Sequence, residues 1–236
     1  MTTGETRSIG GVPALHWGRP SRRGFLYLHG QGGSKEEAAA FAAAAEDAGW
    51  QTVSIDLPGH GARTAEAADL VPWQVIPELR EVLMHLQMQW EQVGIFGSSL
   101  GAWFGLMACQ EFPLAGALLL SPVVDMGALI RKMMGWAGVT EERLAREGSI
   151  PTDFGQTLSW AYLQYVRAHP IQRWSVPTAI LYGSRDHLTD QGTMETFARR
   201  WNCHLTVEPE GEHWFHTPEQ LAAVDRWQRG SLQALG

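Results

Sequence analysis

The sequence predicts an α/β protein built on a mostly parallel, doubly wound sheet with helices packed on both faces. Two features of the chain indicate this fold class. Short apolar runs with the length of buried strands alternate with amphipathic helical segments along most of the 236 residues. The predicted strands are apolar on both faces, which is typical of strands covered by helices on both sides. No repeat and no Pro/Ser-rich linker divides residues 1–236, so the chain is expected to form one domain.

Six short segments are predicted to be strands, most of them continuous apolar runs bounded by glycine, proline or polar residues. They occupy residues 24–28, 51–56, 93–96, 117–123, 178–182 and 204–208. Amphipathic segments separate these runs, so the strands are expected to pair mainly in parallel.

An alanine-rich segment at residues 38–45 predicts the first helix. Ser34 and Glu37 have the spacing of a capping box before it, and Gly49 follows it as a terminating residue. The segment is therefore interpreted as a helix rather than as a disordered stretch of biased composition.

Three further helices are predicted from apolar periodicity and from the positions of proline. Pro77 suits the first turn of a helix that extends to Trp90. Residues three and four positions apart give this helix one apolar face: Ile76, Leu79, Leu83, Leu86 and Trp90. Helices are also expected at residues 100–111 and 218–232.

Residues 125–174 interrupt the alternation of strands and helices. They contain apolar helical pieces at residues 129–139 and 158–166, and no strong strand. We interpret this segment as a small helical cap inserted over the carboxyl edge of the sheet, the edge at which parallel α/β proteins bind ligands.

Composition and charge exclude some classes of partner and site. The chain has 18 Lys and Arg against 25 Asp and Glu, a net charge of −7, and no basic run for nucleic acid or an anionic membrane surface. No apolar run is long enough to insert across a membrane, and Met1 to Arg7 lack the apolar core of a secretory signal, so a cytoplasmic protein is expected. Cys109 and Cys203 have no CxxC spacing, which indicates neither a disulfide framework nor a zinc site.

The segment Gly97-Ser98-Ser99-Leu100-Gly101 matches the pattern G-x-S-x-G. It directly follows a predicted strand and directly precedes a predicted helix, and a sharp turn in that context raises the serine hydroxyl above the sheet. Ser99 is thus the candidate nucleophile, since Ser98 occupies the variable position of the motif. The competing interpretation is a glycine-rich helix start with Ser99 as its N-cap.

A nucleophilic serine needs a base, and the base needs an acid that orients it. Asp186 follows the strand at residues 178–182, and His213 follows the last strand. The chain order Ser, Asp, His is the order found in hydrolases of this architecture. Asp125 is a second candidate for the acid, because it also follows a strand. His216 is a second candidate for the base, but it precedes a predicted helix start at Thr217-Pro218.

Negative charge that develops on an acyl oxygen requires preorganised hydrogen-bond donors. The backbone N–H of Leu100 and that of Gln31 are the candidates, the second within the glycine-rich loop His29 to Gly33. His29 is expected to brace this loop, because no acidic or histidine partner stands at metal-ligand spacing. The pattern G-x-G-x-x-G of dinucleotide sites is absent where it would be needed, so no cofactor and no metal are expected.

Five elements in this order resemble the α/β-hydrolases, and within them the small bacterial esterase and serine-aminopeptidase-like (monoglyceride-lipase-like) branch. The elements are His29-Gly30-Gln31-Gly32-Gly33-Ser34-Lys35-Glu36, Asp56-Leu57-Pro58-Gly59-His60-Gly61, Gly97-Ser98-Ser99-Leu100-Gly101, Tyr182-Gly183-Ser184-Arg185-Asp186 and Gly211-Glu212-His213. The resemblance implies the α/β-hydrolase fold, a triad of Ser99, His213 and Asp186, and an oxyanion hole from Gln31 and Leu100. It implies a structural role for the loop at residues 56–61.

Two departures from the family pattern lead to expectations of their own. Only Val12 to Trp17 is available as a strand before residue 24, so the leading antiparallel pair of the family is expected to be shortened. The insertion at residues 125–174 is also smaller than a full lipase lid.

The activity expected from this resemblance is hydrolysis of carboxylic esters of small to medium apolar acyl groups, with a small-molecule acyl ester as the partner. A thioesterase, an aminopeptidase or amidase, or an acyltransferase would use the same triad. An aminopeptidase needs an acidic anchor for the substrate amine, for which Glu141, Glu142 and Asp153 are available. A non-catalytic ligand-binding protein of the same fold is the alternative from another class.

Four of the 11 tryptophans are candidates for the substrate pocket. Trp103 lies one turn beyond Ser99, Trp214 directly follows His213, and Trp136 and Trp160 lie in the insertion. The alternative for each is ordinary packing of cores and helix contacts, the commoner role of this residue.

Overall fold

An eight-stranded, mostly parallel sheet forms the centre of the protein in the computed structural model, which describes residues 4–235. Its strands are β1 (Glu5–Ile9), β2 (Val12–Trp17), β3 (Arg23–Leu28), β4 (Gln51–Ile55), β5 (Gln92–Ser98), β6 (Gly116–Leu120), β9 (Thr178–Gly183) and β10 (His204–Glu208). They lie in the order β1-β2-β4-β3-β5-β6-β9-β10, and the pairs from β4 to β10 are parallel. Met1 to Thr3 and Gly236 lie outside the described residues. The first three belong to the segment Met1 to Arg7, in which no secretory signal is expected.

The predicted fold class is confirmed, and all six predicted strands are present with small shifts at their ends. The sheet separates two apolar cores. Alternate residues of β3 enter different cores, with Phe25 and Tyr27 on one side and Leu26 and Leu28 on the other. This two-residue period in a strand that is apolar throughout is the reason why both faces need a helical cover.

The expectation of a shortened N-terminal pair is wrong, because β1 pairs antiparallel with β2. Strand β1 has four exposed residues and one buried residue, so it lacks the apolar run by which the other strands were predicted. Gly10 and Gly11 connect the two strands with φ angles of +58° and +89°. Two successive residues in this region form the tight hairpin turn that favours glycine.

Eight α-helices are assigned within the described residues. They are α1 (Ala39–Asp47), α2 (Pro72–Gln89), α3 (Ser99–Ala108), α4 (Met126–Trp136), α5 (Glu141–Glu147), α6 (Trp160–Ala168), α7 (Gln191–Arg200) and α8 (Pro218–Ala234). Helices α1 and α8 contribute to one core, and α2, α3 and α7 contribute to the other. None of these helices has both the length and the apolar character needed to cross a membrane.

Two helix starts differ from the prediction. Ser34 precedes a 3₁₀ turn at Lys35–Ala38, and its side chain forms no capping bond in the described structure, so the capping box is wrong. Helix α2 begins at Pro72, and Pro77 lies inside it rather than in its first turn. Proline at the first position of a helix loses no hydrogen bond, and Pro72 satisfies that preference one turn earlier.

The segment between β6 and β9 contains α4, α5, α6 and a two-stranded hairpin of β7 (Ser149–Pro151) and β8 (Thr157–Ser159). Ile150 and Leu158 of the hairpin and Leu163 of α6 are buried in the same core as α2 and α3. The hairpin differs from the purely helical segment that was expected, because three-residue strands with one buried residue each leave no periodic signal.

Candidate active site

The sharp turn between β5 and α3 carries Ser99, whose φ is +48°. A Cβ atom at Gly97 would lie 2.5 Å from the Cα of Ala102, and one at Gly101 would lie 2.3 Å from the carbonyl oxygen of His29. Both distances are too short for any residue but glycine, so the motif permits the turn and the close contact of α3 with the loop after β3. Ser99 therefore stands at the carboxyl edge of the sheet.

Three side chains from distant parts of the chain form a continuous hydrogen-bonded series at this edge. Ser99 Oγ lies 2.8 Å from His213 Nε2, and His213 Nδ1 lies 2.7 Å from Asp186 Oδ2. The side chain of Asp186 is fully buried, and that of His213 is 11% exposed. With the Nδ1 proton directed to the carboxylate, Nε2 is available to accept the proton of the serine hydroxyl.

Backbone groups fix the carboxylate of Asp186. Its Oδ1 accepts hydrogen bonds from the N–H groups of Leu188 at 2.7 Å and Thr189 at 3.1 Å. The second oxygen is thereby directed to His213. A buried carboxylate with three donors is held in one orientation, and it holds the imidazole in turn.

The competing candidates lie in other surroundings. Asp125 is the N-cap of α4, where its Oδ1 accepts a hydrogen bond from Ala128 N at 2.8 Å. His216 Nδ1 lies 3.3 Å from Glu212 Oε2, and its ring stacks on Trp214 at 4.9 Å between centroids. His213, rather than His216, is in contact with Ser99, and Asp186, rather than Asp125, is in contact with His213.

The loop after β3 lies directly beside Ser99. A Cβ atom at Gly30 would lie 3.3 Å from Ser99 Cβ, so the absence of a side chain lets this loop approach. Gln31, the next residue, is exposed. Leu100 lies in the first turn of α3, where backbone N–H groups have no partner within the helix. Of the two predicted oxyanion donors, Leu100 directly follows Ser99 in the chain, and Gln31 directly follows the glycine that approaches Ser99.

The four tryptophans do not form one group. Trp103 is 2% exposed and packs against Tyr162 at 5.8 Å between centroids, whereas Trp214 is 76% exposed. Trp136 is exposed and forms an edge contact with Phe154. Trp160 is half-buried, with the guanidinium of Arg167 over its ring.

Trp103 belongs both to the lining of a cavity and to an aromatic cluster, neither of which was predicted from the sequence. It lines a cavity of about 440 Å³ between α3, the end of α6 and α7, together with Val124 and Phe197. It also belongs to an aromatic cluster with Trp73, Tyr162 and Tyr165. Contacts between residues so far apart in the chain leave no local pattern in a sequence.

His187 is a further neighbour of the site that the sequence reasoning missed. Its ring lies 6.2 Å from that of His213 between centroids, and its side chain is exposed. Its position directly after Asp186 was the available signal. Within residues 4–235, no group of three or more His, Cys, Asp or Glu side chains is arranged to hold a metal ion, and both cysteines are free.

The loop at residues 56–61 is anchored beside the site by a buried ion pair. Lys35 Nζ lies 2.7 Å from Asp56 Oδ2, and the backbone N–H groups of Lys35 and Ala62 also donate to this carboxylate. Burial alone raises the pKa of Asp56, but these donors lower it below its usual value. The charge on Asp56 is therefore stabilised where it holds the two loops together.

Fold and site geometry define a class of protein: a mostly parallel α/β sheet with a serine in a tight turn after a central strand, and an aspartate and a histidine after later strands. The model of the alpha/beta hydrolase family matches residues 25–224. The chain belongs to this family, and the resemblance seen in its motifs is confirmed at that level.

Solved structures share the fold over nearly the whole chain. Est1E from Butyrivibrio proteoclasticus with bound ferulic acid has a TM-score of 0.79 and 15% identity, over 98% of each chain. A monoacylglycerol lipase from Paleococcus ferrophilus has a TM-score of 0.70 and 17% identity, over 98% of this chain and 100% of the lipase. A thioesterase domain from the curacin biosynthetic pathway has a TM-score of 0.62 and 16% identity, over 97% and 99% of the two chains. A comparison with curated protein sequences gives no match.

Proposed function

We propose that this alpha/beta hydrolase is a serine esterase that cleaves carboxylic esters of small to medium apolar acyl groups through an acyl-enzyme. The observation that carries the proposal is the continuous series from Ser99 Oγ through His213 to Asp186, with distances of 2.8 and 2.7 Å. A hydroxyl, a base and an orienting acid at these distances are what nucleophilic acyl transfer requires.

The acylation step follows from the geometry. His213 Nε2 takes the proton of Ser99 Oγ as this oxygen attacks the ester carbonyl carbon, and the carbonyl π electrons move to the oxygen. The N–H groups of Gln31 and Leu100 stabilise the resulting oxyanion. When the tetrahedral intermediate collapses, the C–O bond to the alcohol breaks, and His213 gives its proton to the leaving alkoxide.

Deacylation repeats these steps with water as the nucleophile. His213 takes a proton from the water as its oxygen attacks the acyl carbon, and the oxyanion forms in the same place. Collapse breaks the bond to Ser99 Oγ, which recovers its proton from His213, and the carboxylic acid leaves. The carboxylate of Asp186 stabilises the imidazolium that forms twice in each cycle.

The choice of an ester substrate rests on the surroundings of the site and on the similar structures. The exposed ring of Trp214, which directly follows His213, favours an apolar acyl group. Similar structures hold ferulic acid, an aromatic carboxylic acid, or bear the name of a lipase. The similar thioesterase domain keeps thioester hydrolysis as a second candidate function.

Two of the three acidic residues considered as an anchor for a peptide amine have other roles. Glu141 forms an ion pair with Arg167, and the pKa of Glu142 is lowered by hydrogen bonds to its own backbone and to Thr140 at the start of α5. A carboxylate engaged in the fold is a poor receptor for a substrate amine. This favours an ester substrate over an aminopeptidase substrate.

The test is a substrate panel with acyl p-nitrophenyl esters of graded length, acyl thioesters and amino-acid anilides. Wild type should prefer the oxygen esters, and S99A should lose activity by at least about 10³-fold, because the triad acts as a unit. S98A is the matched control and should retain activity. Fluorophosphonate should label wild type and not S99A.

Each contrary outcome overturns a defined part of the proposal. Wild-type rates in S99A would remove Ser99 from the mechanism. A preference for thioesters or anilides would replace the substrate class and keep the triad. No hydrolysis together with no labelling of Ser99 would identify a ligand-binding protein of this fold.

A further inference from the structure

We propose that His29 and His60 are positioning residues that fix the direction of the Gln31 N–H toward the developing oxyanion. This pair, named the histidine clasp, joins the loop after β3 to the loop after β4. The inference rests on the proposed acyl-transfer function and assigns a role to a loop at residues 56–61 that was expected to be only structural.

The clasp is reciprocal, since each histidine accepts a hydrogen bond from the backbone of the other loop. His29 Nε2 accepts from the N–H of Leu57 at 3.0 Å. His60 Nε2 accepts from the N–H of Gly32 at 3.0 Å. The two rings lie 5.0 Å apart between centroids. Two crossed bonds of this kind fix the distance between the loops at two points.

Both rings are neutral and have the same tautomer. His29 Nδ1 lies 2.8 Å from the carbonyl oxygen of Gly30, and His60 Nδ1 lies 2.9 Å from that of Pro58. A carbonyl can only accept, so each Nδ1 carries the proton and each Nε2 has the free lone pair. His29 has no exposed surface and His60 has 6%, so both sets of bonds are shielded from water.

The planarity of the peptide bond transmits this arrangement to Gln31. The Gly30 carbonyl and the Gln31 N–H belong to one trans peptide unit, in which they point in opposite directions. His29 Nδ1–H and Gly33 N–H both hold that carbonyl oxygen, the latter at 3.1 Å. The Gln31 N–H is thus directed away from His29.

His60 holds the next peptide unit. The Gln31 carbonyl and the Gly32 N–H share a plane, and this N–H donates to His60 Nε2. The two peptide units on either side of the Gln31 Cα are therefore each held by one histidine. A donor fixed on both sides needs no reorganisation when the oxyanion forms, which is the condition for effective stabilisation.

The clasp is attached to a rigid support. Asp56, in the same loop as His60, has no exposed surface and bonds to Lys35 through both the ammonium and the backbone N–H. This second connection joins the same two loops independently of the clasp. Loss of one clasp bond should therefore loosen Gln31 without separating the loops.

The test compares H60N with H60Q. Asparagine can reach the Pro58 carbonyl but not the Gly32 N–H, whereas the oxygen of glutamine can accept from Gly32. We expect H60N to lower kcat by about 10- to 100-fold with little change in KM, less than the loss of a whole oxyanion donor. We expect H60Q to recover most of this loss.

An inhibitor pair separates positioning from general damage. A trifluoromethyl ketone forms a tetrahedral oxyanion on the nucleophile, and the matched methyl ketone binds without this step. H60N should weaken only the trifluoromethyl ketone, by a factor similar to its loss in kcat. H85A is the matched control, because His85 Nδ1 also bonds to a backbone carbonyl, that of Glu81, but on the surface of α2.

The outcomes distinguish the clasp from the proposed function. Equal activity of H60N and wild type, equal loss in H60N and H60Q, or equal weakening of both ketones would overturn the clasp while Ser99-dependent hydrolysis stands. If wild type hydrolyses no substrate, the rate of fluorophosphonate labelling of Ser99 replaces kcat. A folded H60N labelled as fast as wild type then excludes the clasp.

Discussion

At the scale of single residues, Asp186 and Asp125 show how hydrogen bonds decide the role of a carboxylate. Both follow a strand at the carboxyl edge of the sheet, and both accept backbone N–H groups. Asp186 has its second oxygen 2.7 Å from His213, whereas Asp125 caps the start of α4. The order of the motifs in the sequence favoured Asp186 as the acid that orients the histidine, but it did not exclude Asp125.

The substitutions D186N and D125N should therefore differ sharply. Asparagine at position 186 presents its amide to His213, favours the wrong tautomer and should lower kcat by about 10³–10⁴-fold. Asparagine at position 125 still caps α4, so D125N should keep wild-type activity and lie within about 0.5 kcal/mol of wild-type stability. Ester hydrolysis and urea unfolding measure the two effects. The reverse order of activities would assign the acid to Asp125.

At the scale of elements, the contact of α3 with the loop after β3 tolerates no side chain. A methyl group at Gly101 would meet the His29 carbonyl oxygen at 2.3 Å, and a backbone atom cannot move away as a flexible side chain can. The same carbonyl belongs to the residue that starts the histidine clasp. The packing of this helix and the conformation of the loop after β3 are therefore coupled.

We expect G101A to lower the free energy of unfolding by about 2–3 kcal/mol, the cost of overpacking, and to reduce activity as well. Gly230 of α8 provides the control, since a Cβ added there would have no described atom within 4 Å apart from its chain neighbours and the backbone of its own helix. G230A should stabilise the protein by about 0.5–1 kcal/mol through helix propensity. Urea unfolding of both variants, with ester hydrolysis in parallel, checks this. A neutral G101A would contradict the close contact.

The elements that could be predicted are those whose buried face appears as an apolar pattern within one short stretch of sequence. Strand β5 and the Ser99 turn are predicted because an apolar run, a glycine motif and a helix follow one another directly. Strand β1 and helix α7 are mostly polar, and their places depend on partners elsewhere in the chain. Their burial is a property of the assembled sheet, so no local window contains it.

At the scale of the whole molecule, the candidate triad residues have local sequence patterns, whereas the surroundings of the tryptophans depend on distant parts of the chain. The triad residues each carry a local motif at the end of a strand, and parallel strands bring those ends to one edge. The surroundings of Trp103 depend on how α6 packs, and those of Trp214 depend on the loop between β10 and α8. No sequence motif predicts this packing. The positions of the candidate triad residues were therefore predictable from the sequence, and the surroundings of the tryptophans were not.

The stability of the whole protein should fall in acid because of buried His29. Burial lowers the pKa of His29 to about 4, from an unfolded value of about 6.5. Between these values the unfolded chain binds a proton that the folded chain does not, so the free energy of unfolding decreases as the pH falls through this range. The contribution amounts to about 3 kcal/mol at most.

Urea unfolding of wild type and H29Q at intervals from pH 7 to pH 4 measures this contribution. Glutamine at position 29 can accept from Leu57 N–H but cannot titrate, so H29Q should lose less stability over that range than wild type. The comparison of slopes removes the carboxylates common to both proteins. If the free energy of unfolding depended on pH equally in both proteins, His29 would not contribute to the loss of stability in acid.

The left-handed backbone of Ser99 has a consequence for how this protein can evolve. A non-glycine residue at φ +48° is disfavoured by about 1–2 kcal/mol relative to an ordinary conformation. Glycine at this position would relieve the penalty and remove the proposed nucleophile in one step. Selection for thermal stability alone therefore favours replacement of Ser99. Directed evolution for stability must accordingly also screen for activity in every round.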